Sequence, residues 1–441
     1  MDFFIDNLAI ISRQWPEIAQ KLTRSHFDVS QIELVKDEEL SLVFDKIQVA
    51  SSYNQSEEAR LQISQLPINT PNVTLYGTGL GVVQSTLLES THLKRLNVMV
   101  FNLSLFKASL TYFDHKEWLS DPRINLSLPQ DTNKVETPFI ALPAELELST
   151  NSSAHIRDRL CLALDNDYIE QSQGILNTAL QQKIMGNIDC IAKEKDVSEL
   201  FSTDLNTSSK TDYIVCAAGP SLAVHINWLK QSATRKKFTI IGVDTAVKSL
   251  VKAGVIPDII VSIDANDKGS FDGLDGDIFI NTPLVYFPVV KSDLLSFWQG
   301  PKYTAYSMSQ LYNTVNELYP RGRLYCCGSV IHPSIDLSVK MGAKKVLLLG
   351  ADFSFPGNKI HTPYKNSPEE VTSQQTAEQT KHWVINGENE RVPTLLCYRG
   401  YLRDLEDYIA LTKGVDFYNG SSKGALIKGT SIKGATSWEK R

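Results

Sequence analysis

The chain has 441 residues, 42% hydrophobic and 21% charged, with 24 Gly and 18 Pro; this is the make-up of an ordinary folded protein, neither disordered nor fibrous. At about 150 residues per domain the length exceeds one core. Forty-four Lys and Arg against 50 Asp and Glu leave a net charge of -6, which excludes a general electrostatic pull on nucleic acid or anionic lipid.

No apolar run approaches the roughly 18 residues of a membrane span, and Met1 to Lys21 carries Asp2 and Asp6 without a basic n-region, so a cytoplasmic protein is expected. Cys161, Cys190, Cys216, Cys326, Cys327 and Cys397 form no CxxC pair, and neither a zinc site nor a disulfide framework is indicated.

In chain order, helical patterns around Leu8 to Leu22 and Ser56 to Leu66 precede a strand-like Asn72 to Tyr76. The turn Gly77-Thr78-Gly79-Leu80-Gly81 then leads through a helical stretch to a second strand, Asn97 to Phe101, which reads as a βαβ unit. Val82 stands where a dinucleotide site would have a third glycine, and Asn102 stands where it would have an acid. A scaffold turn is the favoured reading, with a small-ligand site as the alternative. Asp121 to Pro143, Ser149 to Ser153 and Ser202 to Lys210 look like connectors, and Ile156 to Lys195 like a long helical link. The expected domains are 1–145, a small α/β domain; 146–205, a helical linker; and 206–441, the main domain.

From Asp212 onward, apolar runs alternate with helices: Tyr213 to Ala217, Phe238 to Val243, Ile259 to Ile263, Leu284 to Phe287, Leu324 to Cys327, Val346 to Leu349 and Val415 to Tyr418. Continuous apolar strands of this kind belong to a mostly parallel sheet covered on both faces, so the fold class is α/β with a Rossmann-like main domain. Gly219-Pro220-Ser221-Leu222, Asp244, Asp264, Gly328-Ser329, Asp352 and Asn419 all follow such runs, which would gather them at one rim where ligands bind. The Gly219 turn could approach a phosphate, but it lacks the lysine of a P-loop. Gly328-Ser329 with Pro333 reads as a second helix start facing that rim. Asp352 to Lys365 has no helical period and continues into a polar stretch ending at Lys381; this flap carries His361, Tyr364 and Lys365, and His361 has the near-neutral pKa suited to acid–base work. Val384 to Thr394 reads as a hairpin turning at Asn386-Gly387.

Five motifs in order carry a family resemblance: Ala218-Gly219-Pro220-Ser221-Leu222; Asp244-Thr245-Ala246 with Gly254-Val255-Ile256-Pro257-Asp258 and Ile263-Asp264; Gly328-Ser329-Val330; Gly350-Ala351-Asp352-Phe353 with His361; and Asn419 with Gly424 to Thr430. Over about residues 205 to 432 the chain resembles the Maf family, the motility-associated factors that glycosylate flagellin. Their core is shared with archaeal 6-hydroxymethyl-dihydropterin pyrophosphokinases and is similar to that of bacterial sialyltransferases. The resemblance implies a glycosyltransferase that moves a nonulosonic acid, pseudaminic or legionaminic, from a CMP-activated donor to Ser or Thr of flagellin. Gly219, Pro220, Ser221, Leu222, Asp244, Thr245, Ala246, Asp264, Gly328, Ser329 and Asn419 would then hold the donor. His361 and Asp352 would be catalytic, with His382 the alternative histidine. No tightly bound cofactor is implied; Mg²⁺ is optional, and if used would fall to Asp258, Asp264 and Asp267. The alternatives are an ATP- and Mg²⁺-dependent pterin pyrophosphokinase and a non-catalytic flagellin-binding factor.

Overall fold

The computed structural model describes residues 2–129, 134–164, 178–202, 210–264, 269–359, 379–380 and 382–434. The chain divides into two compact units, Met1–Leu164 and Asp165–Arg441. The segment 146–205 gives the helix Ala154–Leu164 to the first unit, and Thr178–Gly186, Ile188–Lys193 and a short strand to the second.

In the first unit a three-stranded antiparallel sheet, β1 (Ile32–Lys36), β2 (Leu40–Phe44) and β3 (Ile47–Gln48), accompanies a parallel sheet of four. The parallel strands are β4 (Asn72–Tyr76), β5 (Arg95–Met99), β6 (Ile124–Ser127) and β7 (Phe139–Ala141), in the order β6-β5-β4-β7. The chain therefore moves outward from β4 to β5 and β6, then returns to the other side of β4. β6 and β7 lie inside the expected connector Asp121 to Pro143, where their brevity and the flanking prolines hide them.

The second unit is built on a nine-stranded, wholly parallel sheet. Its strands are β8 (Lys195–Asp196), β9 (Asp212–Cys216), β10 (Phe238–Val243), β11 (Ile259–Ser262), β12 (Leu284–Tyr286), β13 (Lys302–Thr304), β14 (Lys345–Leu349), β17 (Asp416–Asn419) and β18 (Ser431–Ile432). β15 (Trp383–Ile385) and β16 (Arg391–Pro393) form a separate hairpin. The order β18-β17-β14-β9-β10-β11-β12-β13-β8 reverses at β9, which has β10 on one side and β14 on the other. Alternation along the strands fills two cores. Ile214, Cys216, Ile240, Leu347 and Leu349 pack on one face, and Tyr213, Val215, Ile241, Val346 and Leu348 on the other. This is the α/β, mostly parallel, Rossmann-like sheet expected from the apolar runs.

Two expected local features differ. Leu324 to Cys327 is not a strand: pairing stops after one bridge, where the Leu324 N–H donates to the Tyr306 carbonyl at 2.7 Å, and beyond it the Tyr325 N–H donates to the Asp336 carboxylate at 2.7 Å and the Cys327 N–H to His332 Nδ1 at 3.2 Å, side chains in place of ladder partners. The 384–394 hairpin forms, but its loop is Asn386 to Glu390; the Asn386 side chain accepts from the N–H groups of Glu388 and Glu390, both at 2.9 Å. No helix among the described residues is long and apolar enough to cross a membrane.

Candidate functional site

A cavity of about 610 Å³ opens at the carboxyl ends of the second unit's strands. Its wall takes Gly219 from the loop after β9, Asp244 and Thr245 after β10, Asp264 after β11, Ser307 and Tyr312 beyond β13, and Asp352 after β14. It lies at the reversal of strand order, where α/β sheets bind ligands.

The reversal is held by close backbone approach. Gly219 N–H donates to the Gly350 carbonyl at 2.9 Å, and Ala217 N–H to the Leu349 carbonyl at 2.8 Å. A Cβ on Gly350, at φ +69°, would lie 2.2 Å from the Ala217 carbonyl oxygen; one on Gly219 would lie 2.4 Å from the Gly350 oxygen. Only glycine fits either position.

Asp352 sits where three loops meet. Its Oδ2 accepts from the Ser221 N–H at 2.8 Å, its carbonyl accepts from Ala425 N–H at 2.7 Å, and a Cβ on Gly424 would collide with its Oδ1. Asp352 Oδ1 and Ser221 Oγ are buried without hydrogen-bond partners among the described residues. Burial raises the Asp352 pKa, against the Ser221 hydrogen bonding that lowers it.

Asp244, also buried, joins two strand ends: it accepts from the Thr245 N–H at 2.7 Å, the Ser262 hydroxyl at 2.9 Å and the Ile263 N–H at 3.4 Å. Opposite, Gly328, Ser329 and Val330 line the cavity at the start of the helix Ile331–Lys340. That start has no side-chain cap, but the His332 N–H donates to the Ser329 carbonyl at 3.2 Å and Pro333 has no N–H, so it is a poor anion site. His332, in its first turn, is fully engaged: Nδ1 accepts from Cys327 and Nε2 donates to the Tyr401 carbonyl at 2.9 Å. Burial lowers its pKa and keeps it neutral as a brace. Cys326 is likewise pushed up to about 12 by burial and is no nucleophile near neutrality.

Of the residues expected to hold a ligand, Gly219, Asp244, Thr245, Asp264, Gly328, Ser329 and Asp352 line the cavity. Pro220, Ser221, Leu222 and Ala246 stand behind it, with Leu222 and Ala246 in the core. Asn419 caps its own loop through the Ser421 N–H at 3.1 Å and is not among the lining residues. Asp258 precedes β11 while Asp264 follows it, so the two lie at opposite edges of the sheet. Asp258 pairs there with Arg235 at 2.8 Å and cannot share a metal ion with Asp264. His361 and Asp267 lie outside the described residues, as does most of the expected flap. No cluster of metal-ligating side chains occurs among the described residues.

Sequence reading missed Tyr398 and Tyr401, which the helix Leu396–Leu411 presents to the cavity one turn apart. Burial together with the Cys397 thiol pushes each phenol up to about 12, and Asp264 adds to the effect at Tyr401. Both are neutral hydroxyls at physiological pH. The lining contains three carboxylates and no Lys, Arg or His among the described residues.

Residues 182–358, less than half of the chain, match the family described as 6-hydroxymethylpterin diphosphokinase MptE-like. Among solved structures, a Maf glycosyltransferase from Magnetospirillum magneticum AMB-1 is similar at 14% identity, covering 99% of this chain and 75% of that one, with a TM-score of 0.41. The sialyltransferase CstII from Campylobacter jejuni, in complex with a substrate analogue, cytidine-5'-monophosphate, is similar at 11% identity over 51% of this chain and 86% of that one, with a TM-score of 0.23. No curated protein is significantly similar in sequence.

Proposed function

We propose that the cavity is the donor site of a cytoplasmic glycosyltransferase that moves a nonulosonic acid from its CMP-activated form to Ser or Thr of flagellin. The observation that carries this reading is the chemistry of the wall: the hydroxyl-bearing residues Thr245, Ser307, Ser309, Ser329, Tyr398 and Tyr401 supply neutral donors beside the carboxylates of Asp244, Asp264 and Asp352. Such donors suit a leaving group that departs as a nucleoside monophosphate; a departing diphosphate calls for a divalent ion or several cations. In the reaction the acceptor oxygen bonds to the anomeric carbon, the bond from that carbon to the phosphate oxygen breaks, and the hydroxyl proton passes to a base. His361 is assigned that role on the family resemblance, with His382 as its alternative.

The family match supports a second reading, an ATP-dependent diphosphokinase, in which the carboxylates lining the cavity, Asp244, Asp264 and Asp352, would face Mg²⁺ and the phosphates. Thermal unfolding separates the two. CMP or CDP should stabilise the protein more than ATP with Mg²⁺ at equal concentration; the reverse order overturns the glycosyltransferase reading. The intact mass of flagellin from cells with and without the protein then tests the acceptor.

A further inference from the structure

The first unit repeats the logic of the second on a smaller scale. β4 is flanked by β5 and β7, so strand order reverses at β4, and the turn Gly77 to Gly81 leaves β4 at the position where a ligand would be expected. All three glycines have positive φ, +107°, +52° and +89°. The turn aims its N–H groups at an acceptor, and that acceptor comes from the chain itself. Glu145, in the short helix Pro143–Glu147 that follows β7, places one carboxyl oxygen 2.6 Å from the Thr78 N–H, 2.9 Å from the Gly79 N–H and 2.9 Å from the Thr78 hydroxyl.

The fit excludes other occupants. Glu145 is completely buried, and a Cβ on Gly77 would lie 2.8 Å from its Cβ and Cγ, so the turn closes directly on the side chain. Its second oxygen is buried without a partner among the described residues. Gln84 Nε2 donates to the Thr78 carbonyl at 2.7 Å and also holds the turn.

We propose that the glycine-rich turn of the first unit is an anion cradle filled from within. The Glu145 carboxyl occupies the place a ligand phosphate would take, locks β7 to the loop after β4, and leaves the first unit unable to bind nucleotide or phosphate at its point of strand reversal. A phosphate entering the turn would have to displace a buried side chain and its three hydrogen bonds.

The test uses the full chain, with inorganic phosphate and ATP as probes against sodium chloride at matched ionic strength. The readouts are the Thr78 and Gly79 amide resonances and the melting temperature. In the parent protein both resonances should be unmoved by millimolar phosphate or ATP. Glu145→Gln, which retains an acceptor oxygen, should behave in the same way. Glu145→Ala should lose several degrees of melting temperature, and phosphate should then shift the two resonances and restore part of the loss. Phosphate or ATP moving these amides in the parent would overturn the proposal, as would a Glu145→Ala protein of unchanged stability that ignores phosphate. If the alanine variant does not fold, the parent and Glu145→Gln resonances still decide.

Discussion

Asp352 and Gly350 sit two residues apart at the end of β14 and show how tightly the cavity's back wall is specified. Gly350→Ala must relieve a 2.2 Å contact while holding φ near +69°, and should cost roughly 3 kcal/mol or more in denaturant unfolding. Asp352→Asn keeps an acceptor for Ser221 and removes the titration. A carboxyl whose pKa is higher in the folded than in the unfolded chain contributes stability that is present in acid and lost as pH rises through its folded value. Parent stability should therefore fall relative to the asparagine variant as pH rises above 3.8; parallel curves would show that the carboxyl is not perturbed. Asp244→Ala strips the acceptor from Thr245, Ser262 and Ile263, and should cost about 2 to 3 kcal/mol. A loss nearer 1 kcal/mol would mark a simple helix cap.

At the scale of elements, the helix Leu396–Leu411 contributes both core and site: Leu402, Leu405 and Ile409 are buried while Tyr398 and Tyr401 face the cavity. Tyr401→Phe keeps the ring and removes the hydroxyl, so the ligand-free protein should unfold within about 1 kcal/mol of the parent. The stabilisation given by CMP should shrink, and a CMP response equal to the parent's would remove this hydroxyl from the donor site. That the helix lines a site could not be read in advance, because its pattern is that of any amphipathic helix and its partners lie far along the chain. Strands β9, β10, β11, β12 and β14 were legible because burial on both faces demands unbroken apolar runs. β8, β13 and β18 have two or three residues each, too few for any period. The β2–β3 turn places Asp45 and Lys46 at positive φ without the glycine or asparagine that usually announces it. Leu324 to Cys327 misled for the opposite reason: a loop whose N–H groups are met by side-chain acceptors can be as apolar in sequence as a strand. Within the site, Gly219, Asp244, Asp264 and Asp352 were legible because each follows a strand that reads as an apolar run, whereas Gly328 and Ser329 line the cavity although the run before them is not a strand. Asn419 ends one too, but turns its amide to its own loop.

For the whole molecule, three buried histidines contribute to the response to acid. Burial lowers His115 to about 4 from its ordinary 6.5 and also lowers His225 and His332. For such groups the unfolded chain takes up the proton first, so stability falls as pH drops below 6.5 and levels off below the folded pKa. His115 alone accounts for roughly 3 kcal/mol of this at 1.36 kcal/mol per unit. Urea unfolding of the parent and His115→Gln should run parallel above pH 6.5, and the parent should lose stability relative to the variant as pH falls from 6.5 toward about 4; equal slopes across that window would place that proton elsewhere. The sheet order carries a different consequence, for synthesis on the ribosome. β9 pairs with β14, residue 212 with residue 345, and the tyrosine wall arrives only at residues 398 and 401. Contacts so distant along the chain form late. A nascent chain extending to residue 330 would hold β9 to β13 and both glycine turns, yet would have no neighbour on the open side of β9 and no complete pocket. That unpaired edge invites association with other chains until the last quarter of the protein emerges.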